Sequence, residues 1–196
     1  MTILVRDPAT TFIHIPKNAG VAISQWLINN VNGSYFLEKQ HGGKHANQIR
    51  IKRFADKKGL KLGYQFCCVR NPWDRVVSAY HYYLKQHKVT DGRLGFTKED
   101  VTWEQFINKE WRDQSWGCVN KQQVSYYNTV DTVLKFENLV NDFYKIQKKF
   151  DVYKPLFPVN QSSHRDYKYY YTDPRWIDEV AVHYKDDIDR FNYSYE

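Results

Sequence analysis

The chain has 196 residues, a hydrophobic share of 42% and a formal charge of +7, which is enough apolar material for one domain over 1–196 and favours anionic partners: nucleotide, nucleic acid, acidic polysaccharide or a membrane surface. No run of 18 apolar residues occurs, and the first strand expected from the pattern lies within about ten residues of the N-terminus, so neither a membrane anchor nor a signal peptide is expected. Three cysteines cannot all pair, and Cys67 and Cys68 are adjacent inside an apolar run, so the expectation is a reduced, cytoplasmic protein.

The first predicted strand is Thr11 to Ile15. A turn from Pro16 to Gly20 leads into a helix from about Val21 to Asn30, where Ile23, Trp26, Leu27 and Asn30 are spaced for one face. Within a polar, glycine-bearing stretch over 32–63, with basic residues at 50, 52, 53, 57 and 58, a short helix is expected over Ala46 to Lys57. A second buried strand, Tyr64 to Val69, feeds the turn Arg70-Asn71-Pro72, with Pro72 at the first helical position, where its missing N–H costs nothing. The helix then runs from Trp73 to about Gln86. Residues 88–100 read as a loop, and Thr102 caps a short helix to Ile107. Val130 to Phe136 is the third apolar strand, followed by a helix from Glu137 to Phe150. Pro155 and Pro158 break the chain, a polar stretch covers Asn160 to Arg165, and a last helix spans Pro174 to Arg190. Strands alternating with helices imply a parallel sheet with both faces covered, whose ligands bind beyond the carboxyl ends of the strands.

The two strand-end turns carry the chemistry. A loop between strand and helix presents free backbone N–H groups and the positive end of the helix dipole. Lys17 adds a full charge, so Pro16, Lys17, Asn18, Ala19, Gly20, Val21 and Ala22 resemble a phosphate-binding loop. The Gly-Lys-Ser/Thr ending of a metal-dependent NTPase is absent, and with it the hydroxyl that would hold magnesium. In the second turn Arg70 sits at the strand end and Ser78 eight positions on, so that both reach one anion if the chain folds back at Pro72. Arginine suits phosphate because its planar fork donates two parallel hydrogen bonds. Asp74 and Arg75 are expected to close the turn through a local ion pair.

These segments together resemble the carbohydrate-modifying sulfotransferases that use 3′-phosphoadenosine 5′-phosphosulfate. The resemblance rests on His14-Ile15-Pro16-Lys17 and Val69-Arg70-Asn71-Pro72-Trp73-Asp74-Arg75 through Ser78. It extends to Gly43-Lys44-His45-Ala46, Phe136-Glu137-Asn138-Leu139, Asn160 through Tyr171, and Tyr184-Lys185-Asp186-Asp187-Ile188, in order along the chain. It implies an α/β, single-domain, P-loop-like fold with a mostly parallel sheet flanked by helices. It places Lys17 beside the oxygen bridging sulfur and phosphorus, Arg70 and Ser78 at the 3′-phosphate, and Ser163 and Arg165 near that phosphate on a late loop. The nucleotide is a co-substrate, no metal is implied, and the acceptor is a hydroxyl, with a glycan as the expected class.

His45 is the candidate base, because imidazole titrates near neutrality; His41 is the substitute and Glu38 a weaker option, while His14 and His183 read as structural. One departure stands out. Where relatives often carry Thr after the lysine and a Thr-Ser pair at the helix start, this chain has Asn18 and Val21-Ala22. The backbone N–H groups of Ala19 to Ala22 and the Asn18 amide would then have to serve the 5′-phosphate. Three other readings stay open: a relative that binds nucleotide without turnover, a P-loop nucleotide kinase, and a polyanion-binding module. RNA binding fits less well, because the sharpest cations sit at strand ends rather than among exposed rings. Trp103, Trp111 and Trp116 form either a sugar platform or core. No membrane anchor is expected, and the sequence does not define an oligomeric state.

Overall fold

The protein is described by a computed structural model covering residues 1–37, 43–89, 101–108, 110–112, 119–159 and 164–196. The chain divides into two compact units, Met1–Arg70 with Gln123–Gln161, and Asn71–Gln122 with Ser162–Glu196. Among the described residues the strands are β1 (Ile3–Val5), β2 (Thr10–Ile13), β3 (Ser34–Phe36), β4 (Tyr64–Val69) and β5 (Thr132–Lys135). The α-helices are α1 (Gly20–Asn30), α2 (Gln48–Lys58), α3 (Pro72–Val89), α4 (Trp103–Asn108), α5 (Leu139–Phe150), α6 (Pro174–His183) and α7 (Lys185–Phe191).

The first unit is built on a sheet in the order β3-β1-β2-β4-β5. β1 is antiparallel to both of its neighbours, whereas β2, β4 and β5 are mutually parallel, so four of the five strands point one way. In register, Ile13 stands opposite Cys67 and Val69 opposite Lys135. The carboxyl ends of β2, β4 and β5 therefore open on one edge, the edge at which α/β sheets bind ligands.

Side-chain alternation sends Ile3, Val5, Phe12, Phe66, Cys68 and Leu134 into one buried cluster. α1 contributes Ile23, Trp26 and Leu27 to it, and α5 contributes Phe143 and Ile146. The Trp26 and Phe143 rings meet edge to face at 5.0 Å, which fixes the two helices side by side on that face. α2 starts at Asn47, whose side chain accepts from the Arg50 N–H at 3.1 Å, and stops at Gly59, where φ is 63°.

In this unit several elements depart from the pattern-based reading, the third expected strand, Val130 to Phe136, being paired only over Thr132–Lys135. The first expected strand, Thr11 to Ile15, is paired over Thr10–Ile13, and His14 and Ile15 already belong to the turn. β1 and β3 were not expected, because three residues are too few to establish an alternation. The helix expected from Glu137 opens with a tighter turn over Phe136–Asn138 before α5 begins.

In the second unit, Asn71 caps α3. Its side-chain oxygen accepts from the Trp73 N–H at 3.0 Å, and Pro72 occupies the first helical position as its fixed φ allows. α3 extends to Val89, beyond the expected end at Gln86; of the expected loop 88–100, residues 90–100 lie outside the described residues. Thr102 caps α4 in a reciprocal pair: its hydroxyl accepts from the Gln105 N–H at 3.2 Å, and the Gln105 carboxamide accepts from the Thr102 N–H at 2.8 Å.

The core of this unit includes Trp73, Val76, Val77, Phe106, Trp111, Val180 and Tyr184. Trp111 is thus a core residue; Trp103 is half-buried, edge to face with Tyr80 at 5.4 Å and Tyr171 at 5.3 Å, and Trp116 lies outside the described residues. Arg75, expected to pair with Asp74, is fully buried and donates to the Lys121 carbonyl at 2.9 Å. The last expected helix, Pro174 to Arg190, is two helices separated at Tyr184. Tyr184 is drawn into the core, where its hydroxyl donates to the Val119 carbonyl, and its backbone leaves the helical region. His183 is held beside it, with Nε2–H donating to the Asn120 carbonyl at 2.9 Å, and burial lowers its pKa.

Candidate functional site

The turn after β2 has two non-glycine residues in the left-handed region, Lys17 at φ 70° and Ala19 at φ 56°, on either side of Asn18. Such residues hold that conformation only where their surroundings impose it, and they cluster at ligand-binding turns. Ala19 precedes α1 with no side-chain cap, and the first helical bond runs from the Ile23 N–H to the Ala19 carbonyl at 3.1 Å. The N–H groups of Gly20, Val21 and Ala22 therefore have no acceptor within the helix and combine with its dipole to favour an anion. Pro16 is buried and Lys17 half-buried at the entrance to this turn.

Gly20 is required by closeness rather than by backbone freedom. A Cβ there would stand 1.9 Å from His14 Cδ2 and 2.0 Å from its Nε2. The His14 imidazole is thus packed against the first residue of α1. It is stacked on Phe12 at 5.9 Å and meets the His45 ring edge-on at 4.5 Å. Burial, reinforced by neighbouring positive groups, holds His14 well below the usual histidine range, so the ring is neutral.

His45 closes a short 3₁₀ turn, Gly43–His45, and is half-buried. Its Nδ1 lies 3.3 Å from the His14 carbonyl. A carbonyl only accepts, so Nδ1 carries the proton, and the lone pair of the neutral ring sits on Nε2.

Arg70 follows β4 directly and is buried. Its Nη1 donates to the Lys17 carbonyl at 3.2 Å, and its guanidinium lies 4.0 Å over the ring of Phe136, the residue that follows β5. The ends of β2, β4 and β5 are thereby joined through one cation.

The Asn18 amide, expected to face an anion, is directed inward instead. It donates to the Cys68 carbonyl at 2.9 Å and to Gln123 Oε1 at 2.6 Å, which uses both of its hydrogens. Gln123, fully buried, also pairs both ways with the Arg70 backbone: Oε1 accepts from the N–H at 2.9 Å, and Nε2 donates to the carbonyl at 2.9 Å.

Of the residues singled out in the sequence, Lys17, Asn18, His45 and Arg70 belong to the first unit, together with the Ala19 to Ala22 backbone. Ser78, buried on α3, and Arg165, exposed with its guanidinium 5.9 Å over Tyr169, belong to the second. Glu38, His41 and Ser163 lie outside the described residues. Gln123 escaped the sequence reading, since it carries no local signal in a polar stretch; Phe136 stands there as a strand end and in a family-like segment, but its place under Arg70 escaped it, although the end of an expected strand could have been set beside the end of β4. Cys68 is buried, which pushes its thiol well above the usual range. Among the described residues, no group of three or more His, Cys, Asp or Glu could hold a metal, and no helix is long and apolar enough to cross a membrane.

Over 109 residues the chain is 28% identical to an uncharacterized protein of Archaeoglobus fulgidus, an alignment covering 53% of this chain and 81% of the other. The model of the sulfotransferase family matches residues 3–194, a span that takes in the Lys17 turn, His45, Arg70 and both units. With a P-loop-like turn and an arginine at adjacent parallel strand ends, and a match over nearly its whole length, the chain belongs to the sulfotransferase family.

Proposed function

We propose that this protein transfers a sulfuryl group from 3′-phosphoadenosine 5′-phosphosulfate to a hydroxyl group, with a carbohydrate as the acceptor class. The observation that supports the reading is the hydrogen bond from the Arg70 guanidinium to the Lys17 carbonyl, which ties Arg70 to the turn that carries Lys17 and opens α1, beyond the carboxyl ends of the parallel strands β2 and β4. In this reading the N–H groups of Gly20 to Ala22 receive the 5′-phosphate and Arg70 the 3′-phosphate. Ser78, Ser163 and Arg165 take the roles that the family resemblance assigns to them.

The reaction forms one bond from the acceptor oxygen to sulfur and breaks the bond from sulfur to the bridging phosphate oxygen. The acceptor proton passes to His45 Nε2, the nitrogen left basic by the Nδ1 contact to His14. The charge developing on the leaving phosphate is met by the Lys17 ammonium and by fixed backbone donors. None of these steps calls on a metal.

Titration calorimetry with 3′-phosphoadenosine 5′-phosphate, with and without magnesium, tests the nucleotide half. Magnesium-independent binding is expected, weakened on the order of 10–100-fold by Arg70→Ala, since a hydrogen bond to a charged group contributes about 1.5–3 kcal/mol. Absence of binding at millimolar nucleotide would refute it. For the chemistry, His45→Ala is expected to lower kcat on the order of 100-fold while leaving product-nucleotide binding largely intact, and Lys17→Ala is expected to lower kcat on the same order and to weaken product-nucleotide binding as well. Val21-Ala22, which supply no hydroxyl, favour one second reading, a relative that binds nucleotide without turnover. Nucleotide binding by the wild type with no sulfuryl transfer to any glycan acceptor would select it.

A further inference from the structure

The contacts around Arg70 form a closed circuit. From the Lys17 carbonyl the path runs to the Arg70 guanidinium, through the Arg70 backbone to the Gln123 carboxamide, on to the Asn18 amide, and back to Lys17 through the peptide bond. Asn18 Nδ2 is also fastened to the Cys68 carbonyl on β4. Gln123 is 0% exposed and Asn18 1%, so the bridge operates away from water, where an unmade bond is costly. The circuit encloses Lys17 in its left-handed conformation, and left-handed Ala19 follows Asn18 directly.

We infer that Asn18 and Gln123 are positioning residues that fix the Lys17 turn relative to Arg70, so that a ligand carrying two phosphates meets both cations at a set spacing. The chemistry supports this over simple packing. A carboxamide carries a donor and an acceptor on separate atoms and no charge, so it can accept from an N–H and donate to the carbonyl of the same residue at once, as Gln123 does with Arg70. The second neutral amide, Asn18, transmits that fixed geometry to the turn without bringing a charge that would compete with the anion. Asn18 in place of the family's threonine thus exchanges a hydroxyl donor on the ligand for a brace beneath the turn.

The inference rests on the nucleotide reading proposed above, and the experiment separates the two. Dissociation constants are measured for 3′-phosphoadenosine 5′-phosphate, for 5′-AMP and for 3′-AMP, with the wild type, Asn18→Ala, Gln123→Ala and the double variant. The readout is the ratio of bisphosphate to monophosphate affinity, which a uniform loss of folded protein does not alter. Each single variant is expected to lower bisphosphate affinity about 10-fold and monophosphate affinity less than about 2-fold, and the double variant is expected to be no worse than the worse single, as for groups acting through one network. Where an alanine variant does not fold, Asn18→Thr serves. It keeps a residue familiar at this place, removes both amide donors, and is expected to lower the same ratio. An unchanged ratio, equal losses for all three nucleotides, or additive losses in the double variant would overturn the inference. A wild type that binds none of the three nucleotides would instead defeat the nucleotide reading itself.

Discussion

Replacing Gly20 by alanine probes the packing beneath the anion-binding turn. The new methyl group would stand 1.9 Å from a carbon of the His14 ring, where ordinary contacts begin at 3.4 Å, so the ring or the start of α1 must move by the missing 1.5 Å (3.4 less 1.9). Neither has room. His14 is only 3% exposed, stacked on Phe12 and against His45, and α1 is held by Ile23, Trp26 and Leu27 in the core. Overpacking of a buried site costs about 1–3 kcal/mol, and a displacement of this size belongs at the upper end. For a chain of this length about 3 kcal/mol corresponds to a fall of roughly 6–12 °C in Tm. The assay is thermal or urea unfolding of the wild type, Gly20→Ala, His14→Ala and the double variant. Removing the ring opens the space that the methyl group needs, so the double variant is expected to be less destabilised than the sum of the singles by about 1–2 kcal/mol. A Gly20→Ala protein melting within a degree of the wild type, or a strictly additive cycle, would refute the reasoning.

Two further outcomes follow from single contacts. His14 is held neutral with its pKa well below that of an unfolded histidine, so the unfolded chain binds the extra proton first; the stability this group contributes is complete above about pH 6.5 and is lost as the pH falls below it. Tm is therefore expected to drop between pH 7 and pH 5, and His14→Gln, which does not titrate, is expected to flatten that slope; an identical slope would assign the acid sensitivity to other groups. Thr102→Ala removes the acceptor for the Gln105 N–H and is expected to cost about 1 kcal/mol in urea unfolding. Because the cap is reciprocal, adding Gln105→Ala is expected to cost less than it does in the wild type.

The parts of the site that lie next to one another in sequence were legible there. A buried run ending in Pro16-Lys17-Asn18-Ala19-Gly20, and another ending in Arg70, mark two strand ends because apolar runs and turn residues are local signals. What joins them is not local. Gln123 lies 53 residues from Arg70 and 105 from Asn18, and nothing in its neighbourhood distinguishes it from any polar residue near a surface. The same limit hid β1 and β3, which exist through their pairing rather than through any periodicity of their own. It also hid the break at Tyr184, where an unbroken helical pattern yields to the burial of one ring. Asn18 shows the converse. Its residue type suggested a donor for the ligand, but the carbonyl of Cys68 and the carboxamide of Gln123 claim both of its hydrogens.

That allocation bears on what the absent hydroxyls mean. Hydroxyl groups at positions 18, 21 and 22 would each donate one hydrogen bond to the phosphate, and because that acceptor is charged each contributes about 1.5–3 kcal/mol, the same range as a bond from Lys17 or Arg70. The chain retains its charged donors, Lys17 and Arg70, and the backbone N–H groups at the start of α1. It also spends the side chain at position 18 on holding those donors in place. A brace that fixes the spacing of two donors strengthens their joint hold on one ligand that meets both, because less ordering remains to be done when that ligand arrives. The loss of hydroxyls and the gain of the Asn18–Gln123 bridge therefore act in opposite directions on the same quantity, and a turn without threonine or serine is compatible with a nucleotide site whose geometry is set before the nucleotide binds.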